Sequence, residues 1–229
     1  METLLPRETH VSTYPSCFKQ TWRIVMKLFY KPGACSMAAH IVLNEIGTEF
    51  ELEKVDTAAG LTETGADFKS INPRGYVPVL ELDDNSVITE NAAILQLLVD
   101  QAGHSELAPA NGTIERTRLQ EQLSFLSSEL HKAYSPFFSG RDFTAEEKES
   151  NISKLSKTIG YFEDFLPANQ PYMNGANFSV ADAYAFVILN WSNFIDVSLE
   201  PWAKVKAYVE NIASRPATQK ALRTEGLIS

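Results

Sequence analysis

Residues 72–82 read Asn-Pro-Arg-Gly-Tyr-Val-Pro-Val-Leu-Glu-Leu, NPRGYVPVLEL. Tyr76, Val77, Val79 and Leu80 give the stretch a strand's composition, yet Pro78 stands inside it. A proline has no N–H to give to a ladder, so it marks either an ordinary trans position on an edge strand or a special turn. A cis Val77–Pro78 bond is the second case, and it would leave the N–H and C=O of Val77 to pair with an extended peptide. On the residues alone both readings stay open. A turn at Asp83–Asn85 and the strand SVIT (86–89) complete a hairpin. ENAAILQLLVDQAG (90–103) then reads as a helix, with Ile94, Leu97 and Leu98 inward and Gly103 at its end.

Upstream, KLFY (27–30) is a short apolar strand and SMAAHIVLNEIG (36–47) a helix that Gly47 can end. FELEKV (50–55) alternates like a strand, residues 57–66 read as loop, and Ala66–Ser70 as a short helix. The order β-α-β-α-β-β-α over residues 26–104 makes an α/β domain. Past a loop with Pro109 and Gly112, strand signals stop. Leu119, Leu123, Leu126, Leu130, Tyr134 and Phe137 recur at steps of three and four and mark one long helix. Thr144 with Glu147, and Ser179 with Asp182, have the spacing of helix-capping boxes. SVADAYAFVILNWSNFI (179–195) is too apolar for a surface helix and is expected at the centre. Residues 112–229 thus form an all-helical domain. Residues 1–25 lack clean periodicity and are expected to be a flexible extension outside the fold.

The chain has 229 residues, 44% of them apolar, enough for a substantial core, and a net charge of −9. Such an acidic chain, without long Lys/Arg runs, argues against nucleic acid or an anionic membrane as the main partner. No apolar run is long enough to span a bilayer. Two cysteines, Cys17 and Cys35, make no disulfide scaffold and fit a reducing cytoplasm. The four histidines are scattered, so no metal site is expected.

Four features carry possible chemistry. Cys35 follows a Pro-Gly turn at the start of the first helix, where unpaired N–H groups lower a thiol's pKa; a buried, inert cysteine is the other reading. Val77 and Pro78 are the second feature. Glu90 and Asn91 fall in the first turn of a helix, where N–H groups bind a carboxylate and the Glu90 side chain can hold an ammonium; plain capping by Thr89 is the alternative. Ser124, Ser128 and His131, at i, i+4 and i+7, share one face of the long helix beside Lys132. That face is either solvated or turned toward the α/β domain.

In order, YKPGACS (30–36), NPRGYVPVLEL, ITENAAIL (88–95), ELHKAYSP (129–136) and FSVADAYAF (178–186) resemble the glutathione transferases, the bacterial beta class in particular. The resemblance runs from Met26 to the C-terminus. It implies an N-terminal thioredoxin-like domain with a cis-proline, followed by an all-helical domain lining an electrophile pocket. It implies reduced glutathione as co-substrate, small hydrophobic electrophiles as partners, a role in detoxification, and a cytoplasmic homodimer. By the same resemblance Cys35 faces the glutathione sulfur and can form a mixed disulfide with it, Val77 before Pro78 pairs with the glutathione backbone, and Glu90 and Asn91 hold its γ-glutamyl end. Ser124, Ser128, His131 and Lys132 reach over from the helical domain, with Lys132 on the glycine carboxylate and His131 orienting or polarising the thiol. Tyr30 matches the catalytic tyrosine of other classes, with a minor role expected here. Trp191, Tyr134 and Phe137 would border the electrophile pocket.

The pattern is broken twice. Gly60 and Leu61 stand in the loop where the class often supplies a lysine, and Ser124 stands where an asparagine is common. The leading expectation is conjugation of glutathione to hydrophobic electrophiles, with thiol–disulfide exchange through Cys35 beside it. The alternatives are a glutathione-dependent reductase, dehalogenase or isomerase on the same scaffold, and a non-catalytic ligand-binding or docking protein.

Overall fold

Met26–Tyr30 (β1) is the middle strand of a five-stranded sheet. The structure is a computed structural model that describes residues 26–104 and 106–229; the expected extension at 1–25, and Cys17 with it, lies outside the described residues. β2 (Phe50–Asp56) runs parallel to β1, with Tyr30 opposite Lys54. β4 (Val79–Glu81) is antiparallel to β1, with Phe29 opposite Val79, and β5 (Val87–Thr89) pairs with β4 as the expected hairpin. The stretch 57–66, expected to be all loop, contains a two-residue strand, β3 (Leu61–Thr62), against the end of β2. A strand of two residues has too little alternation to show in a sequence.

α1 (Met37–Ile46) connects β1 to β2 and α2 (Phe68–Ile71) precedes β4. α3 (Asn91–Ala102) follows β5 and ends at Gly103 in the left-handed conformation. α1 packs against α3 and against the helical half. Its residues Met37 to Leu43 are all buried, which explains their near-continuous apolar character. On the opposite face of the sheet, Phe29, Val55, Phe68 and Val79 form a smaller cluster under α2.

The helical half comprises α4 (Ile114–Phe125), α5 (His131–Tyr134), α6 (Ala145–Phe165), α7 (Val180–Asn190), α8 (Ala203–Ala213) and α9 (Pro216–Thr224). The expected single long helix is one continuous helical run, but it is not uniform. Leu126–Leu130 form a π-turn between α4 and α5, in which the His131 N–H donates to Leu126 O, and Ser135–Phe138 tighten into a 3₁₀ turn. α7 is the central helix, buried from Val180 to Leu189. The two halves are tied by charge pairs as well as apolar packing. Buried Arg116 of α4 forms a bidentate pair with Asp100 of α3, at 2.9 and 2.6 Å, and Arg215 does the same with Glu45 of α1, at 2.8 and 3.0 Å.

Both expected capping boxes are present. At α6, Thr144 Oγ1 accepts the Glu147 N–H and Glu147 Oε2 accepts the Thr144 N–H. At α7 the acid is fully buried. Asp182 accepts from the N–H and hydroxyl of Ser179, at 2.8 and 2.6 Å, from the Met173 N–H at 2.9 Å and from the Tyr208 hydroxyl at 2.8 Å. Burial pushes its carboxyl above the usual range against the pull of these donors. One side chain thus satisfies the start of the central helix, the preceding loop and α8. Asp182→Ala would strand these donors in the core, and we expect a loss of roughly 3 kcal/mol of stability in urea unfolding. A loss below about 1 kcal/mol would show that water satisfies the same groups.

Candidate functional site

One edge of the sheet collects the chemistry. β1 and β2 end there, β4 starts there and β5 ends there, so Thr57, Lys31, Val77 and Glu90 follow or precede neighbouring strands at the same edge. The Val77–Pro78 bond is cis, the second of the two readings of that proline. Between this edge and the helical half lies a cavity of about 540 Å³. Cys35, Val77 and His131 line it, with aromatic walls from Tyr76, Phe138, Trp191 and Phe194. The imidazole and the thiol therefore meet in one space, although 96 positions separate them in the chain.

The loop that presents Cys35 is held from the helical half. Gly33 turns the chain at φ 71°, on the left-handed side that glycine adopts without strain. Its N–H donates to Glu225 Oε2 at 2.8 Å, and its C=O accepts from Trp191 Nε1 at 2.8 Å. Glu225, just past α9, is buried, and its other oxygen accepts from Nδ1 of buried His40 on α1 at 2.9 Å. Neither Glu225 nor His40 is marked in the sequence by a motif; the signal is a partnership across 185 residues.

Cys35 is partly exposed, and its thiol donates to Val77 O at 3.3 Å. The expected lowering of its pKa does not occur. Burial pushes the thiol up to about 12, the Glu90 carboxylate adds to the rise, and only the N–H groups of Cys35 and Ser36 pull it down. The helix start acts in the expected direction, and desolvation overrides it. In this state Cys35 is a hydrogen-bond donor.

His131 is held the opposite way from a charged base. Burial pulls its imidazole down to about 4, with the Lys132 charge acting in the same direction. Its ring packs edge-on against Trp191, and Nδ1 lies 2.8 Å from the Tyr184 hydroxyl. Burial raises the pKa of Tyr184, so its hydroxyl stays protonated and is able to donate to Nδ1. A neutral imidazole that accepts at Nδ1 carries its proton on Nε2, which makes it a donor. Asn91 ties the start of α3 to the same loop: its amide donates to Cys35 O at 2.6 Å. Tyr184 belongs to the stretch FSVADAYAF, but its partnership with His131 crosses 53 residues.

Several expected members take other places. Tyr30 is buried behind the sheet edge, edge-on to His40, and does not line the cavity. Tyr134 is fully buried with its hydroxyl 2.6 Å from Ser192, and Phe137 packs on Phe143, so Phe138 is the neighbour that reaches the cavity. Ser124 and Ser128 are exposed and donate back to carbonyls of their own helix, and Lys132 is exposed; none of the three lines the cavity. The expected shared face of Ser124, Ser128 and His131 is broken by the π-turn, which adds a residue to one turn and rotates the residues beyond it. Glu90 precedes α3 instead of lying in its first turn, and Thr89, the alternative cap, ends β5. At Glu90 φ is 70°, rare for a residue with a side chain, and its carboxylate accepts from the Tyr76 hydroxyl at 2.7 Å. Among the described residues no cluster of His, Cys, Asp and Glu could hold a metal, and no helix is long and apolar enough to cross a membrane.

Residues 33–101 match the family model of the glutathione S-transferase N-terminal domain, and residues 116–216 match that of the C-terminal domain. The chain is 39% identical to glutathione S-transferase GstA of Escherichia coli O157:H7, over 88% of this chain and 100% of that one. A sphingomonad glutathione S-transferase solved in complex with glutathione is 43% identical, with a TM-score of 0.83 over 88% of this chain and all of that one. The bacterial beta class enzyme of Sphingomonas chungbukensis is 42% identical, with the same score and coverage.

The raised thiol pKa predicts slow alkylation. In a Cys17→Ser background, iodoacetamide should modify Cys35 at pH 7 about a hundredfold more slowly than free cysteine, after allowing for the stronger nucleophilicity of a more basic thiolate. The rate should climb tenfold per pH unit without a plateau up to about pH 10. Mass spectrometry follows the adduct, and a plateau near neutrality would refute the protonated thiol.

Proposed function

Because the chain belongs to the glutathione S-transferase family, we propose that it conjugates reduced glutathione to small hydrophobic electrophiles, with exchange of glutathione disulfides through Cys35 as the lesser activity. The observation that carries this reading is the convergence of two neutral donors, the Cys35 thiol and the His131 imidazole, in one largely apolar cavity. An anionic sulfur placed between them would be held without a charged partner, and low polarity strengthens such hydrogen bonds. The glutathione sulfur then attacks the electrophilic carbon. A C–S bond forms, the leaving group departs with its electron pair, and the thiol proton goes to solvent. Phe138, Trp191 and Phe194 offer the electrophile an aromatic wall.

At the γ-glutamyl end, Glu90 supports the ammonium and the first N–H groups of α3 support the carboxylate. The cysteinyl segment runs beside Val77, before the cis proline. Exchange needs the Cys35 thiolate. Burial raises the pKa of that thiol, so little thiolate is present near pH 7, which favours conjugation as the main activity. A cytoplasmic homodimer completes the reading; size-exclusion chromatography with light scattering tests the dimer.

We expect retention on immobilised glutathione and thioether formation with 1-chloro-2,4-dinitrobenzene. Cys35→Ala should abolish exchange with a glutathione mixed disulfide while conjugation survives within about tenfold, the effect of one lost donor. His131→Ala should lower the conjugation turnover by about the same factor and move its pH profile upward. If purified protein shows neither retention nor turnover with electrophiles or mixed disulfides, the assignment fails.

A further inference from the structure

We propose that Lys31 receives the glycine carboxylate of glutathione, a role that rests on the glutathione site above. Reduced glutathione carries two carboxylates and one ammonium. The γ-glutamyl end accounts for one carboxylate and the ammonium, and the second carboxylate, on glycine, has to lie beyond the sulfur.

The order of strands says where. Along the cavity edge, Glu90 follows β5, Val77 precedes β4, Lys31 follows β1 and Thr57 follows β2. Neighbouring strands stand about 4.8 Å apart, so β5 to β2 is a distance of about 14 Å. An extended tripeptide spans about 10 Å before its terminal groups are added. Laid from Glu90 across Val77, with its sulfur at Cys35, it brings glycine to the gap between β1 and β2. Lys31 and Thr57 both line the cavity there, and Lys31 Nζ donates to Thr57 Oγ1 at 3.2 Å.

Among the described residues Lys31 is the only lysine or arginine that lines this cavity. It forms no ion pair within 4 Å in the described structure. Asp56 feels its charge, but Asp56 Oδ1 already accepts the N–H groups of Ala58 and Ala59, at 2.9 and 3.0 Å. His131 is neutral near pH 7 and Lys132 is exposed off the lining. The stretch after β2 offers Gly60 and then the exposed Leu61 of β3, no cation. Lys31 therefore supplies from the end of β1 the charge that this stretch lacks.

The test varies both partners. Binding and steady-state kinetics are measured for wild type, Lys31→Ala, Lys31→Arg and Lys132→Ala, with glutathione and with γ-glutamylcysteine, which has no glycine. Lys31→Ala should raise the glutathione KM about fivefold, the upper end for a solvent-facing ion pair, with kcat almost unchanged. The shift should shrink in high salt, be restored largely by Lys31→Arg and vanish with γ-glutamylcysteine. An unchanged KM in Lys31→Ala would overturn the proposal, as would an equal shift with both thiols. A glycine-dependent shift in Lys132→Ala instead would move the role to that residue. Wild-type protein that neither binds nor turns over either thiol would overturn the glutathione reading beneath it.

Discussion

Both backbone groups of Gly33 are held by side chains from the other half of the chain, and the site depends on that grip. Trp191 takes the C=O and Glu225 takes the N–H. Without these bonds the turn before Cys35 would be an exposed Pro-Gly loop, free to move on the timescale of loops. With them, the position of the thiol is set by α1, by the 3₁₀ turn Trp191–Phe194 after α7 and by the segment after α9 together. Glu225 also binds His40 inside α1, so the same carboxylate fixes the helix that starts at the site and the loop that enters it. The geometry is over-determined, which is what a donor aimed at a small anion requires.

The parts of this arrangement that are local were legible in the residues. The proline in NPRGYVPVLEL marked an irregular position but left trans and cis both open, and Thr144/Glu147 and Ser179/Asp182 marked two helix starts through contacts three residues apart. Gly47 and Gly103 marked helix ends for the same reason, since only the conformation of one residue is at stake. The non-local parts were not legible. Glu225 meets Gly33 across 192 positions, and Tyr184 meets His131 across 53, with nothing in the intervening composition to announce either pair. β3 escaped because two residues cannot display a period.

The π-turn at Leu126–Leu130 shows how a correct periodicity can still misplace side chains. The leucines keep steps of three and four, so the run is helical and its apolar side is inward. One wider turn then shifts the register just before His131. His131 swings toward Trp191 and Tyr184, while Ser124 and Ser128 remain on the solvated side. A polar residue enters the cavity from a helix whose preceding polar face points elsewhere.

Burial explains why the electrostatics of the site run against the simplest reading of the residues. A cysteine at a helix start is expected to ionise, and a histidine near it to be a charged partner. Enclosing both reverses each tendency, raising the thiol and lowering the imidazole, because both shifts remove charge from a poorly solvated space. The site is thereby left with donors and no fixed charge at its centre. A site with a standing thiolate would repel a second anionic sulfur; one with an imidazolium would need a counter-ion when empty. Two neutral donors bring neither penalty, and Glu90 and Lys31, exposed at the ends of the edge, are free for the charge recognition proposed for them. On the proposed reading, discrimination and chemistry separate along one row of strand ends, with the charged contacts at the exposed rim and the hydrogen bonding to sulfur in the less solvated middle.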